Sequence, residues 1–141
     1  MRSNSEMKPL TIAITAGVIL AGASNANAVG YLTGRELYDR CQLSLRYMGP
    51  KDIHTPEDVA LAAKGAVCVA YIRGAADALD LVSRVLPERS TICIPLNTSG
   101  GELRDEVMKY IYRNADKIEL DKDASGIVVN ALIARWKCKP N

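Results

Sequence analysis

A periodic pattern of apolar residues predicts a long helix in the middle of the chain. Between Ala66 and Leu86, apolar or small residues recur at spacings of three and four, at Cys68, Tyr71, Ile72, Ala75, Ala78, Leu79 and Val82. This spacing aligns them along one face of a helix. Glycine costs a helix interior about 1 kcal/mol relative to alanine, so Gly74 suggests that another backbone comes close at that point. We therefore expect a central helix around which the other elements pack.

Capping signals mark the beginnings of two shorter helices. Thr33 and Glu36 have the spacing of a capping box and precede an apolar face over residues 34–48. Ser99 and Glu102 repeat that spacing before a second periodic stretch at 101–114. Both stretches have a polar face opposite the apolar one, which predicts helices that pack one side on a core.

Two further helices begin at other capping residues. The run 55–58, Thr-Pro-Glu-Asp, combines a capping residue, a proline at the first helical position and early acidic charge. It predicts that the central helix extends over residues 56–86, with a kink or break at Gly65. Asp123 is placed to cap a last helix, which has apolar residues on much of its circumference.

The amino terminus has the pattern of a cleaved secretory signal. Arg2 and Lys8 precede an uncharged, largely apolar run at residues 10–23, and Ala26-Asn27-Ala28 supplies the small residues of a cleavage site. A membrane anchor, the competing interpretation, needs about 20 apolar residues. We therefore predict a signal peptide at 1–28, a mature protein that is not membrane-bound, and a periplasmic location.

The remainder, residues 29–141, is long enough for one small domain. The whole chain has a formal net charge of +2, and removal of the signal leaves it close to neutral. Nucleic-acid binding or attachment to anionic lipid would require a basic face, so neither partner is predicted. The chain has no phenylalanine and one tryptophan, which gives no indication of a large aromatic ligand cavity.

All four cysteines lie in the mature part and predict two disulfides in an oxidising compartment. A zinc site would need closely spaced cysteine pairs, and the only histidine is His54. Three pairings are possible in principle. The short connection between the first two helices favours an antiparallel pair that joins Cys41 to Cys68. Antiparallel packing of the last two helices would join Cys93 to Cys138, and each bridge would contribute at most about 3.5 to 4 kcal/mol.

The segment between the central helix and the third helix, residues 87–101, is predicted to be an extended strap over the core. Pro95 removes a backbone donor there, which disfavours a helix. The Ser99-Gly100-Gly101 sequence could hold an anion at a helix start, but no basic residue lies within two positions of it. Ordinary helix capping explains it better.

Candidate catalytic residues are few. His54 stands alone in a predicted loop, and with the cysteines oxidised there is no thiolate nucleophile. Asp77 and Asp80 could form a carboxylate pair, but pairing of one with Arg73 or Arg84, with the other solvated, is the simpler interpretation. The sequence therefore predicts a protein that is not an enzyme and that needs no cofactor and no metal.

The order of several short segments resembles a known family. The segments are Gly34-Arg35-Glu36-Leu37 before Cys41, residues 68–78 (CVAYIRGAADA), Cys93-Ile94-Pro95, residues 107–111 (VMKYI), Ala124, Ala131-Leu132 and Cys138. The sequence resembles the Rap/Tai immunity proteins, which are periplasmic inhibitors of peptidoglycan amidase toxins delivered by type VI secretion systems. The resemblance extends from about Leu32 to Cys138.

The resemblance implies a function and supports the fold derived above. The fold class is all-α, a small bundle of four to five helices stapled by two disulfides. The function implied is binding and inhibition of a cognate amidase by contact with its active-site groove, which protects the producing cell, in a family that often dimerises. Helix faces such as Tyr38 with Gln42, or Tyr110 with Tyr112, could serve a dimer.

Two polar loops are the candidate toxin contacts, since blocking a groove requires a protruding polar segment. The preferred loop lies between the last two helices and contains Asn114, Asp116, Lys117, Glu119, Asp121 and Lys122. The second is residues 96–101. The alternative function is a periplasmic structural or chaperone-like protein without a toxin partner. Acid-triggered chaperones need clustered histidines or buried carboxylates, and His54 is the only histidine in the chain.

Overall fold

Four helices form the fold in the computed structural model, which describes residues 32–47, 49–87 and 92–138. They are α1 (Gly34–Arg46), α2 (Pro56–Val85), α3 (Gly100–Arg113) and α4 (Ala124–Trp136), with a short 3₁₀ turn at Pro50–Asp52. The predicted signal peptide at 1–28 lies outside the described residues. Within the described ranges there is no β-strand, only two isolated β-bridges. The predicted all-α fold class is confirmed.

The helices begin where the capping residues predict. Reciprocal capping boxes link Thr33 with Glu36, Thr55 with Asp58, and Ser99 with Glu102, so each hydroxyl accepts from a backbone N–H and each carboxylate accepts in return. The capping hydrogen bonds hold the pKa of the Glu36 and Glu102 carboxyls below the ordinary value, and for Asp58 the His54 N–H, followed by the Thr55 bonds, lowers the pKa in the same way. The helix ends agree with the predicted ones to within two residues.

Antiparallel packing of α1 on α2 is set by contacts along the pair. The disulfide Cys41–Cys68 joins their buried faces, and the Tyr47 hydroxyl donates to Asp58 at 3.1 Å near the connection. The core that these helices build with α3 and α4 includes Leu37, Ile72, Leu103 and Leu132, each almost fully buried. The second predicted disulfide, Cys93–Cys138, is also present.

The two glycines of α2 have the opposite roles to those expected. At Gly74 an added Cβ would meet no atom within 4 Å, so the predicted close approach of another backbone there is wrong. At Gly65 an added Cβ would lie 2.7 Å from the Ser44 nitrogen, 2.9 Å from its Cα and 3.0 Å from the Leu43 carbonyl carbon. The predicted break at Gly65 is also wrong, because α2 is a continuous helix of 30 residues. Gly65 is needed for close packing against α1.

The buried face of α2 is narrower than its apolar pattern suggests. Its buried residues are Gly65, Cys68, Ile72 and Ala76. Ala78 and Val82, which the pattern placed on the core face, are exposed. Among the described residues, α2 is the one helix whose length and composition would also allow it to cross a membrane. It is instead joined to α1 by a disulfide and packs on α3 and α4.

A buried arginine connects α3 to α1. Arg104 is 6 % exposed, and its guanidinium donates to the Ser44 carbonyl at 3.2 Å and to the Ser44 hydroxyl at 3.1 Å. Its other side pairs with Asp105 at 2.7 Å. A buried charge is tolerated only when it is paired and hydrogen-bonded, and these partners meet that condition.

The structure describes the predicted strap, residues 87–101, at Pro87 and from Ile92 onwards. Ile92 is buried, and Ile94 is partly buried against the core. The Cys93 N–H donates to the Trp136 carbonyl at 2.7 Å, and Ile92 and Lys137 form an isolated antiparallel bridge. The strap therefore lies along the end of α4.

We predict opposite effects for alanine at the two glycines of α2. Gly65→Ala should lower the free energy of unfolding by about 1 to 3 kcal/mol, because the neighbouring atoms are backbone and cannot rotate away. Gly74→Ala, the matched control, should raise it by up to about 1 kcal/mol, because alanine has the higher helix propensity. Urea denaturation followed by circular dichroism measures both. Equal effects of the two substitutions would contradict the assigned contact at Gly65.

Candidate functional site

The candidate catalytic groups are engaged in structural roles. Asp77 pairs with Arg73 at 3.5 Å, and Asp80 pairs with Arg84, so both carboxylates have partners on α2 and neither is left solely to solvent. His54 is exposed, and its backbone N–H donates to Asp58 at 3.0 Å. Across the described ranges, no group of three metal-ligating side chains comes together. The Ser99 region serves as a helix cap, as predicted.

The connector loop, residues 114–123, is a polar segment held by hydrogen bonds to α3 and α1. It begins where Asn114 ends α3, with its backbone N–H donating to the carbonyls of Tyr110 and Ile111. The Asn114 side-chain amide also donates to the Tyr110 carbonyl at 2.8 Å. The loop continues through a turn in which Ile118 N–H donates to the Asn114 carbonyl at 2.9 Å. Its first half is therefore hydrogen-bonded to the end of α3.

The second half of the connector loop is bound to the beginning of α1. Gly34 and Arg35 donate their backbone N–H groups to the carbonyls of Lys122 and Leu120, at 2.8 and 2.7 Å. The first N–H groups of a helix have no partner within the helix, so the loop carbonyls satisfy donors that α1 leaves open. The Ala124 N–H donates to the Leu32 carbonyl at 2.8 Å and closes the loop at its far end. The loop is thus fixed at both ends and along its length.

Apolar side chains hold the inner side of the connector loop. Ile118 and Leu120 are partly buried against the core. Gly34 allows this approach, because a Cβ there would lie 2.5 Å from the Ile127 Cδ1 atom and 3.0 Å from the Leu120 carbonyl oxygen. Burial of these side chains holds the loop in one conformation before a partner binds. Little conformational entropy is therefore lost on binding.

The outer side of the connector loop presents charges to solvent. Five of the six predicted contact residues are exposed: Asp116, Lys117, Glu119, Asp121 and Lys122. Arg35 pairs with Asp121 at 3.2 Å, and Lys122 with Glu119 at 3.7 Å. Exposed pairs of this kind contribute about 0 to 1 kcal/mol, so a partner can replace them at small cost. Asn114, the sixth, is half-buried and caps α3.

Asp123 ends the loop and begins α4. Its carboxylate accepts from the Ser125 hydroxyl at 2.6 Å and from the Ser125 N–H at 2.9 Å. These hydrogen bonds hold the pKa of the Asp123 carboxyl below its ordinary value. Burial, and to a smaller extent the Asp123 charge, raises the pKa of Tyr71 on α2. Asp123 therefore stabilises the junction between the connector loop and α4.

The second candidate loop, residues 96–101, presents one apolar residue. Leu96 is 91 % exposed, the largest exposed fraction among the described large apolar side chains. It lies on a turn in which Thr98 N–H donates to the Pro95 carbonyl at 3.0 Å, just before the Ser99 cap. Beside it is a cavity of about 210 Å³ between the strap and α2. This loop is less polar than the connector loop.

The aromatic faces considered for a dimer are used within the chain. The Tyr38 and Tyr112 rings meet edge to face with centroids 6.0 Å apart, and the Gln42 amide donates to the Tyr112 hydroxyl. These contacts join α1 to α3. Tyr38, Gln42 and Tyr112 thus have partners within the chain, and Tyr110 is partly buried against the core.

A second apolar face on α2 was missed by the sequence reasoning. It runs along the whole helix on the solvent side, and all its members are exposed: Ala60, Ala63, Val67, Ala70, Gly74, Ala78, Leu81 and Val85. We call this set the α2 stripe. The sequence pattern was interpreted as a single apolar face, and of the stripe residues only Ala78 was expected on the core.

Comparison with known proteins gives one match. A family model described as Rap1a immunity proteins matches residues 33–138, which include all four helices and both disulfides. No curated protein and no solved structure matches the chain.

We predict that Gly34→Ala loosens the connector loop. The added methyl group meets the Ile127 side chain and the Leu120 carbonyl, so the loop must move away from α1. Hydrogen exchange of the backbone amides at position 34 and at Arg35, whose donors bind the loop, should become at least tenfold faster. Gly126→Ala on α4 is the control, since no atom lies within 4 Å of its Cβ position. Unchanged protection in the Gly34→Ala variant would contradict the clamped loop.

Proposed function

The chain belongs to the Rap1a immunity protein family, and from this we propose that it binds and inhibits a peptidoglycan amidase toxin delivered by type VI secretion. Immunity proteins bind a toxin and are generally inhibitors without catalytic activity. The observation that carries the proposal is the family match over residues 33–138. We infer that the protein protects the cell that produces it from the cognate toxin.

We propose that this protection takes place in the periplasm. Two disulfides support an oxidising compartment, and the first 28 residues have the sequence pattern of a secretory signal. An amidase that cleaves peptidoglycan meets its substrate in that compartment. Toxin and inhibitor would therefore act in the same place.

The connector loop is the proposed contact with the toxin. Its five exposed charges include both signs, three acidic and two basic, which suits a polar groove in a partner. Its backbone is held by α1 and α3 before any partner arrives, so little ordering entropy is lost on binding. Asn114 supports the loop from its base through the hydrogen bond to Tyr110.

The α2 stripe supports a second proposal, that the protein forms a homodimer. The stripe extends from Ala60 to Val85, or about 38 Å of helix at 1.5 Å per residue. In a two-fold arrangement the same surface meets itself. An antiparallel crossing at Gly74 would place Ala70 against Ala78 and Val67 against Leu81 of the second copy. The small residues at the centre of the stripe would allow the two helices to approach closely.

We predict that the connector loop determines toxin binding. The triple substitution Lys117→Ala, Glu119→Ala and Lys122→Ala should raise the Kd for the cognate amidase by about 10- to 100-fold, since buried interface contacts commonly contribute about 1 to 3 kcal/mol. The Kd is measured by isothermal titration calorimetry against the peptidoglycan amidase that co-purifies with the protein from the periplasm.

A matched control removes the same residue types elsewhere. Lys51→Ala, Glu57→Ala and Lys64→Ala lie outside the loop, are exposed, and change the net charge equally. Their Kd should stay within about twofold of the unsubstituted protein, because they leave the proposed contact intact. If both triple variants bind as the unsubstituted protein does, the toxin contacts another surface.

We predict that Leu81→Glu prevents the dimer. The substitution places a charge on the α2 stripe without disturbing the core, because Leu81 is 61 % exposed. Sedimentation velocity should show a dimer for the unsubstituted protein and a monomer for Leu81→Glu. Leu96→Glu is the control, an exposed leucine outside the stripe, and should remain dimeric. A monomeric unsubstituted protein at micromolar concentration would refute the dimer.

A further inference from the structure

The two disulfides differ in their access to solvent. Cys41 and Cys68 are each 0 % exposed and lie in the centre of the core between α1 and α2. Cys93 is exposed and Cys138 is partly exposed, beyond the ends of the helices. A thiol reagent in solution can reach the second bridge in the folded protein, whereas the first is covered unless the core opens.

The exposed bridge holds a segment that pairs with the end of α4 over a short length. The segment concerned is residues 92–98, the part of the strap that directly precedes the Ser99 cap. Its pairing with the end of α4 includes the Cys93 bond to Trp136 and the isolated bridge between Ile92 and Lys137. Even a two-stranded hairpin is marginally stable in water, so a pairing this short depends on the covalent link. The strap has two apolar contacts with the core, the buried Ile92 and the partly buried Ile94, whereas Cys41–Cys68 joins two helices that pack along their lengths.

We propose that Cys93–Cys138 is a reducible latch, which a dithiol reductant opens while Cys41–Cys68 and the four-helix core stay intact. Opening separates the strap, from Cys93 onwards, from the end of α4. This inference concerns the strap alone and stands whether or not the connector loop binds a toxin.

The chemistry is thiol–disulfide exchange. A thiolate of the dithiol attacks the Cys93 sulfur, a mixed disulfide forms at Cys93, and the Cys138 sulfur leaves as a thiolate that takes up a proton. The second thiol of the reductant, as a thiolate, then attacks the reductant sulfur of the mixed disulfide, and the Cys93 sulfur leaves as a thiolate that takes up a proton. The products are the oxidised, cyclic disulfide of the reductant and thiols at Cys93 and Cys138, so two electrons pass from the dithiol to the bridge.

Opening the latch would change a surface, because the strap forms one wall of the cavity of about 210 Å³ beside α2. Ile94, Pro95 and Leu96 line that cavity from the strap side, and Ala76 and Arg84 line it from α2. The exposed Leu96 moves with the strap. The redox state of one bridge would thus set the shape of this face while the rest of the fold is unaltered.

Graded reduction of the native protein tests the latch. The oxidised protein is incubated with increasing dithiothreitol at neutral pH without denaturant, alkylated, digested and analysed by peptide mass spectrometry. Cys93 and Cys138 should become alkylated at a dithiothreitol concentration at least tenfold lower than Cys41 and Cys68. Coincident labelling of all four cysteines, or earlier labelling of the buried pair, would overturn the proposal.

Two further measurements separate opening of the bond from release of the strap. At the dithiothreitol concentration that opens only the outer bridge, far-ultraviolet circular dichroism should keep its helical signal. Hydrogen exchange at the Cys93 amide should accelerate at least tenfold, because its bond to Trp136 is lost. A lost helical signal shows that the outer bridge holds the core, and a protected Cys93 amide shows that the strap stays in place; either result refutes the latch.

Paired variants provide an independent check. Cys93→Ser with Cys138→Ser removes the latch and should retain the helical signal, a cooperative melt and, without reductant, rapid exchange of the backbone amide at position 93. Cys41→Ser with Cys68→Ser removes the core bridge and should lose a larger part of the thermal stability. A greater loss of Tm in the outer-bridge variant than in the core-bridge variant would contradict the assigned roles.

Discussion

Three helices meet at Ser44, and the rest of the fold depends on that contact. Gly65 of α2 lies directly against the Ser44 backbone, and the Arg104 guanidinium of α3 binds both the carbonyl and the hydroxyl of the same residue. One contact is steric and requires the absence of a side chain, while the other is a charge-assisted hydrogen bond in a buried place. The disulfide Cys41–Cys68 lies one turn away along both α1 and α2. Together these contacts fix the register of α1 on α2 and of α3 on α1.

Much of the fold was predictable because its determinants are local. A capping box is complete within four residues, so Thr33, Thr55 and Ser99 indicate where their helices begin without information from distant parts of the chain. The Cys41–Cys68 pairing followed from the short connection between α1 and α2, which favours antiparallel packing. The Cys93–Cys138 pairing followed from the expected antiparallel packing of the last two helices. The roles of Gly65 and Gly74 were not predictable in the same way. A glycine that faces another backbone and one that faces solvent look alike in sequence, and only the packing of α1 distinguishes them.

The candidate site, too, was predictable from the sequence only in part. Its exposed charges could be read from the sequence, since a run of charges of both signs between two helices is typical of a solvated loop. Its rigidity could not, because it comes from carbonyl groups of Leu120 and Lys122, and every residue type has a carbonyl. The α2 stripe was missed for a related reason. The face with Cys68 and Ile72 was expected to meet the core and does so. The apolar residues on the solvent side were not recognised as a second face, because exposure depends on how the other helices pack.

The connector loop separates the residues that shape it from the residues it displays. Main-chain hydrogen bonds and the inward Ile118 and Leu120 define its path, whereas the outward side chains make only weak surface pairs. Substitutions at the outward positions therefore carry little energetic penalty for the scaffold. Such a loop can diversify rapidly while the helices beneath it stay the same, as a competition between changing toxins and their inhibitors would require. New binding specificities can therefore arise by substitution in the loop while the fold is retained.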